Sequence, residues 1–299
     1  MKVPVLILAF NRPDHVKRAM EAVRLYQPSR LYLACDGPRS DKVGEAELVA
    51  STQKAMLDVV DWPCEVHTLF REKNLGCAQG VYTAISWFFE HVSYGIIIED
   101  DILVGQDFFK LCEDLLPRYQ DNEKVMSISA QNVSHRNDIN NSYVYSYSFS
   151  CWGWATWRRV WEKVDMTMAA ARTLSPFYLT KRLGFFKGLM MFYYFKADYY
   201  QFIPFDTWDF RWELSLLMHD GLIVCPGVNL AVNIGTDGGA HYDDGDTDPY
   251  QDLRIGNIVW PLVYNDSLVP DSKQARYERK DFFRIRKIGL KKKFRKWYK

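Results

Sequence analysis

The residues with the clearest potential for chemistry are three consecutive acids, Glu99-Asp100-Asp101, which directly follow the apolar run Ile96-Ile97-Ile98. Such a run is typical of a strand buried on both faces of a parallel sheet. Ligands of open α/β sheets bind outside the carboxyl ends of these strands. Three adjacent carboxylates repel each other and are costly to desolvate, so a hard cation such as Mg²⁺ or Mn²⁺ would stabilise them. We therefore expect a metal site, with an acidic surface turn as the alternative.

Polar residues also follow the three preceding predicted strands. Phe10-Asn11-Arg12 comes after the first, Asp36 after the second and Asn74-Leu75-Gly76 after the third. An arginine at this edge can bind phosphate bidentately, and a carboxylate can accept from a ribose hydroxyl or a base NH. Taken singly, Arg12 is equally typical of a protein surface and Asp36 of a tight turn. Their convergence on one edge favours a ligand-binding cleft.

The elements that must position these residues alternate through the first 130 residues. Predicted strands are Val3–Phe10, Leu31–Cys35, Glu65–Phe70, Gly95–Ile98 and Val125–Ala130, and predicted helices are Pro13–Leu25, Val43–Val60, Gln79–His91 and Phe108–Tyr119. Repeated βα units imply a mostly parallel sheet with helices on both faces. The fold class is therefore α/β.

The second half has a less regular pattern. Expected elements are a helix that opens at Cys151–Trp157 and runs to about Val164, a helix at Trp208–His219, and two short strands within Leu222–Ile234 separated by Pro226-Gly227. We expect one catalytic domain over residues 1–280, with a nucleotide-sugar half at 1–130, an acceptor half at 131–280, and a basic amphipathic tail at 281–299.

The composition bounds the class and the compartment. Hydrophobic residues at 48% and charged residues at 25% are ordinary globular values, and a net charge of +1 favours neither nucleic acid nor an acidic partner. Six cysteines without a CxxC pair favour free thiols in a reducing compartment. We see no signal peptide and no apolar run of the roughly 18 residues that a transmembrane helix needs. A cytoplasmic protein is expected.

Two common phosphate-binding loops are missing from the sequence, since neither GxGxxG nor GxxxxGK[ST] occurs. The chain instead resembles the GT-A-fold nucleotide-sugar glycosyltransferases, and more narrowly the N-acetylglucosaminyltransferase I group with its bacterial relatives. Glu99-Asp100-Asp101 matches their Glu-Asp-Asp form of the DxD motif, and Trp208-Asp209 matches their Trp-Asp before a helix. Pro4–Arg12, Asp36 and Cys151–Trp161 match further stretches. The similarity covers about residues 3–245.

The resemblance implies a Rossmann-like GT-A fold and an activity. That activity is an inverting, metal-dependent transfer of a sugar from a nucleotide sugar, here a UDP-sugar, to a glycan or lipid-linked glycan acceptor. It implies that Asp101 binds Mn²⁺ or Mg²⁺ and that Asp209 is the catalytic base. Asp206 is a rival base, and a helix first-turn acid is the structural alternative for Asp209. The residues assigned to the donor are Phe10, Arg12, Asp36, Gly76, Glu99, Asp100, Asp101, Trp154, Trp208 and His241.

Three further segments have an expected role. Gly235–His241 is expected to close over the donor diphosphate, with His241 against phosphate or metal, or simply solvated. The aromatic stretch Phe177–Phe205 fits core, acceptor-site wall or membrane contact. Arg284–Lys299 carries nine Lys or Arg and no acid. Its interleaved Phe and Trp favour peripheral contact with the anionic inner face of the plasma membrane, with a solvated tail or nucleic-acid contact as alternatives.

Two other functions remain compatible with the pattern. A nucleotidyltransferase acting on sugar phosphates shares the sheet and the acidic site, but it would carry a glycine-rich basic loop where this chain has Phe10-Asn11-Arg12-Pro13. A catalytically inactive protein that binds sugar nucleotides or polysaccharides is the non-enzyme alternative. Retention of both Asp101 and Asp209 favours the transferase.

Overall fold

The first half of the chain folds as alternating strands and helices. The computed structural model describes residues 2–134, 136, 138–139, 141–202, 205–235, 250 and 252–297, with the backbone alone at 285–297. The elements are β1 (Val5–Ala9), α1 (Pro13–Tyr26), β2 (Arg30–Cys35), α2 (Glu45–Asp58), β3 (Glu65–Phe70), α3 (Gly76–His91), β4 (Tyr94–Glu99), β5 (Ile102–Val104), α4 (Gln106–Arg118) and β6 (Val125–Ser129). All the predicted strands and helices of this half are confirmed, and β5 is additional.

The second half contributes both strands and helices. They are β7 (Tyr143–Ser146), β8 (Trp154–Trp157), α5 (Arg158–Trp161), a 3₁₀ turn (Ala169–Arg172), α6 (Pro176–Leu183), α7 (Phe185–Tyr199), α8 (Asp209–Met218), β9 (Leu222–Pro226), β10 (Ala231–Asn233) and α9 (Ser272–Trp297). The helix at Trp208–His219 and the two strands beside Pro226-Gly227 are confirmed. The helix predicted to open at Cys151 is wrong, because residues 154–157 pair as a strand with β4 and β6.

One eight-stranded sheet unites the two halves, in the order β3-β2-β1-β4-β8-β6-β9-β7. Strands β1 to β4 are mutually parallel wherever they pair, and β6 pairs with β9 in parallel. Strand β8 is antiparallel to both its neighbours, and β7 is antiparallel to β9. The prediction of a mostly parallel sheet flanked by helices is confirmed. The second half of the chain supplies three of its strands.

The buried centre of the sheet explains its apolar sequence. Ile96, Ile97 and Ile98 of β4 are fully buried, as are Leu6 and Ile7 of the neighbouring β1. Successive side chains point to opposite faces of a strand, so a strand covered by helices on both faces must be apolar throughout. Because β1 to β4 run in the same direction, the residues that follow all four strands lie along one edge.

A cluster of tryptophans fixes the start of α8 against the sheet. Trp154 of β8 is fully buried, and its ring stacks on that of Trp208 with the centroids 5.4 Å apart. Trp212 of α8 and Trp161 of α5 pack against the same ring. This packing holds the N-terminus of α8, where Asp209 lies, at a fixed position relative to β8.

Of the tail predicted at 281–299, residues 281–297 are part of a longer helix. A single helix, α9, spans Ser272–Trp297, so residue 281 lies within it. Gln274 in its first turn is 1% exposed, which ties this end to the domain. In the described part of the chain, no helix combines the length and apolar character that crossing a bilayer requires. All six cysteines are free thiols.

Replacing Trp154 with alanine tests whether the tryptophan cluster is core. We expect Trp154→Ala to lower the free energy of unfolding by about 3–5 kcal/mol, the usual loss for a large buried aromatic residue. Urea titration followed by circular dichroism measures it. Trp152→Ala is the matched control, because Trp152 is only partly buried and packs edge-on against Tyr250. Equal losses in the two variants would contradict the assignment of Trp154 to the core.

Candidate active site

The carboxyl ends of the parallel strands β1 to β4 open into a cleft of about 760 Å³. Ligand sites of small molecules usually have volumes of about 300–1,000 Å³ and lie at this edge of open α/β sheets. Most of the residues that the sequence assigned to the donor line this cleft, namely Phe10, Arg12, Asp36, Gly76, Glu99, Asp100 and Asp101. The convergence predicted from strand ends is therefore a property of the fold.

The acidic triplet at the end of β4 is incompletely neutralised. The Oε1 atom of Glu99 is buried and accepts no hydrogen bond within the described part of the chain. Burial raises the pKa of Glu99 well above its ordinary value, and the charges of Asp101 and Asp100 raise it further. Burial, with Asp101 next, raises the pKa of Asp100 to about 6, although the Phe10 amide donates to it at 3.2 Å. The site thus has an excess of negative charge.

Arg12 supplies a positive charge to this site, and that charge is paired with a carboxylate of the triplet. Its Nη1 donates to Asp101 Oδ2 at 3.0 Å, and the two side chains are 29% and 18% exposed. The sequence predicted that Arg12 would contact phosphate. Here the guanidinium lies in the cleft and is paired with Asp101, so a diphosphate bound beside it would meet an arginine whose position is already fixed.

The donor chemistry of the triplet suits a divalent cation, although its carboxylates are not arranged as a preformed metal site. Glu99 has a buried carboxylate oxygen without a partner among the described residues, and Asp100 has a carboxyl with a raised pKa. A nearby positive charge would stabilise the ionised form of both. Carboxylate oxygens are the ligands that Mg²⁺ and Mn²⁺ prefer. Among the described residues, no group of three or more His, Cys, Asp or Glu side chains has the arrangement to hold a metal ion.

The backbone at Gly235 lies against Asp101 and closes the cleft on that side. A Cβ added to Gly235 would lie 2.3 Å from Asp101 Oδ2, so this position admits no side chain without movement. The Ile234 amide donates to the Asp101 carbonyl at 2.8 Å, and β10 pairs with β5 directly after the triplet. The chain before residue 236 therefore packs onto the acidic site. His241, assigned to phosphate or metal, lies outside the described residues.

Asp36 and Arg71 form the opposite wall. Asp36 accepts from the amides of Gly37 and Leu75 at 3.0 Å each, and Arg71 Nη1 is 4.0 Å away. Burial raises the pKa of Asp36, while these amides and Arg71 oppose the rise. Gly80 allows α3 to approach, because a Cβ there would lie 3.1 Å from Asp36 Oδ2. This wall places a cation and an anion side by side.

Sequence reasoning missed two cationic residues that line the cleft. Arg71 directly follows β3, and burial lowers its pKa despite the charge of Asp36. Arg39 lies three residues after Asp36, bonds to Glu45 through Nε at 3.0 Å, and lies over the Phe10 ring at 5.5 Å. Their positions just beyond strand ends are the same signal that identified Arg12. That signal was available for both residues.

The two candidate bases lie on different cavities. Asp206 lines the cleft, and its carboxylate accepts from the amides of Ala78 at 3.0 Å and Cys77 at 3.2 Å in the first turn of α3. Asp209 begins α8, and its Oδ1 accepts from the Thr207 hydroxyl and from the Phe210 amide at 2.9 Å. Asp209 lines a second cavity of about 260 Å³. We call this cavity the Asp209 pocket.

The Asp209 pocket contains several buried polar groups. Lys187 is 6% exposed and donates to Ser148 Oγ at 2.8 Å. The pocket also contains Glu213, whose pKa is raised to about 7 by burial, with Asp209 and Glu278 adding to the rise and Lys187 opposing it. Burial thus favours the neutral form of the Glu213 carboxyl, and the nearby charge of Lys187 opposes this effect.

Gln274 contributes an unsatisfied acceptor to this pocket. Its Nε2 donates to Asn132 Oδ1 at 3.3 Å and to Glu278 Oε1 at 3.2 Å. Asn132 Oδ1 also accepts from the Ser134 amide, so the Gln274 amide must present its NH₂ group to these oxygens. Its own Oε1 is buried and has no partner among the described residues. The pocket is therefore rich in acceptors.

The charged groups of the cleft and of the Asp209 pocket are close enough to interact. Asp209 contributes to the raised pKa of Glu99, which lines the cleft. Cys151 lines the Asp209 pocket, and its buried thiol has a pKa raised by burial first and then by Glu99, Asp209 and Asp101. Charges in one cavity thus contribute to the raised pKa values of groups in the other. This proximity suits a reaction between two bound molecules.

Trp154 and Trp208, assigned to the donor from the sequence, lie behind the site. They are 0% and 3% exposed, stack on each other, and are not among the residues that line the cleft. The aromatic-rich match around Cys151–Trp161 therefore supplies packing at these positions. Their rings support the segment that carries Asp206 and Asp209.

Comparisons with known proteins give distant structural likenesses. No family model and no curated protein sequence matches the chain. The chain is similar to mouse xyloside xylosyltransferase 1 in its apo form, at 12% identity and a TM-score of 0.37 over 75% of this chain and 84% of that one. It is similar to a UDP-glucose pyrophosphorylase in complex with UDP-glucose, at 10% identity and a TM-score of 0.33 over 55% and 79%. It is also similar to the inositol-1-phosphate CTP transferase from T. maritima, at 14% identity and a TM-score of 0.33 over 54% of this chain and 73% of that one. We base the functional argument on the two cavities.

Glu213 makes the free energy of unfolding depend on pH. Its pKa is about 7 in the folded protein against an ordinary 4.5, so the folded state binds the proton more tightly than the unfolded chain. Stability therefore falls as the pH rises from about 4.5 to 7. Glu213→Gln stays neutral and should be about 1–3 kcal/mol more stable than the wild type at pH near 8, and nearly equal near 4.5. Urea titrations across this range measure it, and parallel profiles would contradict the assignment.

Proposed function

We propose that this chain is a transferase that binds a nucleotide sugar in the cleft at the carboxyl ends of β1 to β4. The observation that carries the proposal is the composition of that single cleft, which combines the partly unsatisfied acidic triplet with Arg12, Arg39 and Arg71. Arginines suit a diphosphate, and the triplet suits the cation that accompanies one. Asp36 is placed to accept from a ribose hydroxyl or a base NH.

More narrowly, we propose an inverting glycosyltransferase. The support is the Asp209 pocket, whose Asp209 acts electrostatically on Glu99 in the cleft and which offers acceptors to the hydroxyl groups of a saccharide. An acceptor hydroxyl held there would attack the anomeric carbon of the donor sugar. The new carbon–oxygen bond forms as the bond to the diphosphate breaks, and that electron pair leaves with the nucleoside diphosphate. The hydroxyl proton needs a carboxylate.

Asp209 is the base in this proposal. Both oxygens of Asp206 already accept hydrogen bonds from backbone amides in the first turn of α3, so this carboxylate serves as a helix cap. Both hydrogen bonds found for Asp209 go to Oδ1, and none from the described residues reaches Oδ2. Oδ2 is therefore the atom that would take the proton. Asp206 would position the wall of the cleft.

The proposed cofactor is Mn²⁺ or Mg²⁺, and Asp101 would hold it. When bound, the ion would neutralise the charge that develops on the departing diphosphate. Glu99 and Asp100 would strengthen the local negative potential, and Arg12 would hold Asp101 in position. The proposed acceptor is a glycan or a lipid-linked glycan, since the polar groups of the Asp209 pocket suit sugar hydroxyls.

Asp101→Asn tests the donor site. For the wild type we expect nucleotide sugars, UDP-sugars above all, to raise the melting temperature in the presence of Mn²⁺, because a ligand at about 100 times its Kd stabilises by about 2.7 kcal/mol. The variant should keep its fold and lose the Mn²⁺-dependent part of the shift. Asp41→Asn is the matched control, since the Asp41 side chain is 75% exposed. A shift retained by Asp101→Asn would remove Asp101 from the site, and no shift in the wild type with any nucleotide sugar would refute the proposed function.

Asp209→Asn tests the chemistry separately from binding. Turnover should fall by about 10²–10⁴, the usual contribution of general base catalysis, with donor affinity little changed. Asp206→Asn should instead lose part of the α3 cap, costing about 0.5–2 kcal/mol of stability, with a smaller loss of turnover. The reverse pattern would make Asp206 the base. A product that keeps the donor's anomeric configuration would exclude inversion, and release of pyrophosphate from a nucleoside triphosphate would indicate a nucleotidyltransferase.

A further inference from the structure

Helix α7 has an apolar face that the domain leaves uncovered. Its inner face is buried at Gly188, Met191 and Phe195, and the last two belong to a hydrophobic cluster separate from the main core. Its outer face carries a row of exposed residues, mostly three, four or seven positions apart, which we call the aromatic stripe. The stripe comprises Phe185, Phe186, Leu189, Tyr193 and Tyr200, with exposed fractions of 65%, 69%, 46%, 59% and 50%. Residues with this spacing share one side of a helix.

Exposed aromatic residues also occur on both sides of the stripe in the sequence. Two more exposed aromatic residues, Phe177 at the start of α6 and Phe202 after α7, flank it in the sequence. Contiguous apolar surface of this kind marks a site of interaction with another protein or a membrane. Tyrosine and phenylalanine are also residues that favour the boundary between lipid and water.

The charges around the stripe are positive. Lys196 lies within it, its Nζ 5.6 Å from the centroid of the Phe192 ring and 5.9 Å from that of Tyr200. The acid of the helix, Asp198, is 1% exposed and paired with Arg211 at 3.0 Å, so it does not oppose the lysine at the surface. An anionic partner is thereby favoured.

The basic segment of the chain begins beside the same helix. Arg279 of α9 packs against Gly184 at the N-terminus of α7, where a Cβ would lie 2.7 Å from the arginine Cδ. The ring of Phe282, one turn further on, is 5.2 Å from Lys187 Nζ. From Arg284 the sequence then carries nine Lys or Arg and no acid to its end at Lys299. The basic segment therefore begins shortly after the part of α9 that packs at the N-terminus of α7, where the stripe also begins.

We propose that the aromatic stripe and the basic end of α9 together dock this protein on an anionic lipid bilayer. The stripe supplies rings for the interfacial region, and the basic segment supplies attraction to acidic headgroups. A second copy of the chain fits less well, because the charge within the stripe, Lys196, would be positive on both partners. The inference goes beyond the proposed transfer reaction and does not depend on it.

Vesicle flotation with the full-length protein tests the proposal. The wild type should float with vesicles of phosphatidylcholine containing 30% phosphatidylglycerol, and far less with phosphatidylcholine alone. Raising the salt should release it, because screening weakens attraction between surface charges. Phe186→Ser combined with Tyr193→Ser should weaken binding at least about tenfold, and so should Lys291→Gln, Lys292→Gln and Lys293→Gln combined.

The matched control is Leu25→Ser combined with Val259→Ser, since these residues are 74% and 85% exposed and lie outside α7. This control should float like the wild type, and circular dichroism should show all the variants folded. Equal flotation of the wild type and the stripe variant would overturn the proposal, as would failure of the wild type to float. Self-association of the wild type in sedimentation experiments, abolished in the stripe variant and without flotation, would assign the stripe to a second copy.

Discussion

The crowding of three carboxyl groups at the end of β4 is the constraint around which the site is arranged. Asp100 is buried, and one oxygen of Glu99 is buried without a partner among the described residues, so part of the triplet is desolvated. The protein compensates only in part, through the Phe10 amide and the Arg12 guanidinium. A sheet edge that keeps an unsatisfied buried carboxylate is costly to stability, and such sites are typical of function.

The same electrostatic field extends to the second cavity. Asp209 acts on Glu99, and Glu213 in turn has a pKa raised to about 7 among Asp209, Glu278 and Lys187. A charge bound in either cavity would therefore act on carboxyl groups of the other.

Local periodicity predicted the first half of the fold well, because short apolar runs alternate there with amphipathic segments of helical period. It failed at β8, because a short tryptophan-rich segment fits a buried helix and a buried strand equally. Only its pairing with β4 and β6 decides between the two. Strand ends likewise predicted most of the cleft. They did not reveal that Trp154 and Trp208 stack in the core, since an aromatic residue suits packing and ligand stacking equally.

The capping of α3 by Asp206 links the two cavities mechanically. Only Thr207 and Trp208 separate this carboxylate from Asp209, and Trp208 is clamped by the tryptophan cluster. A displacement of the first turn of α3 would therefore reach Asp209 through a segment of only four residues, Asp206 to Asp209. By thermodynamic linkage, a displacement of Asp209 would act back on that turn with the same free energy of coupling.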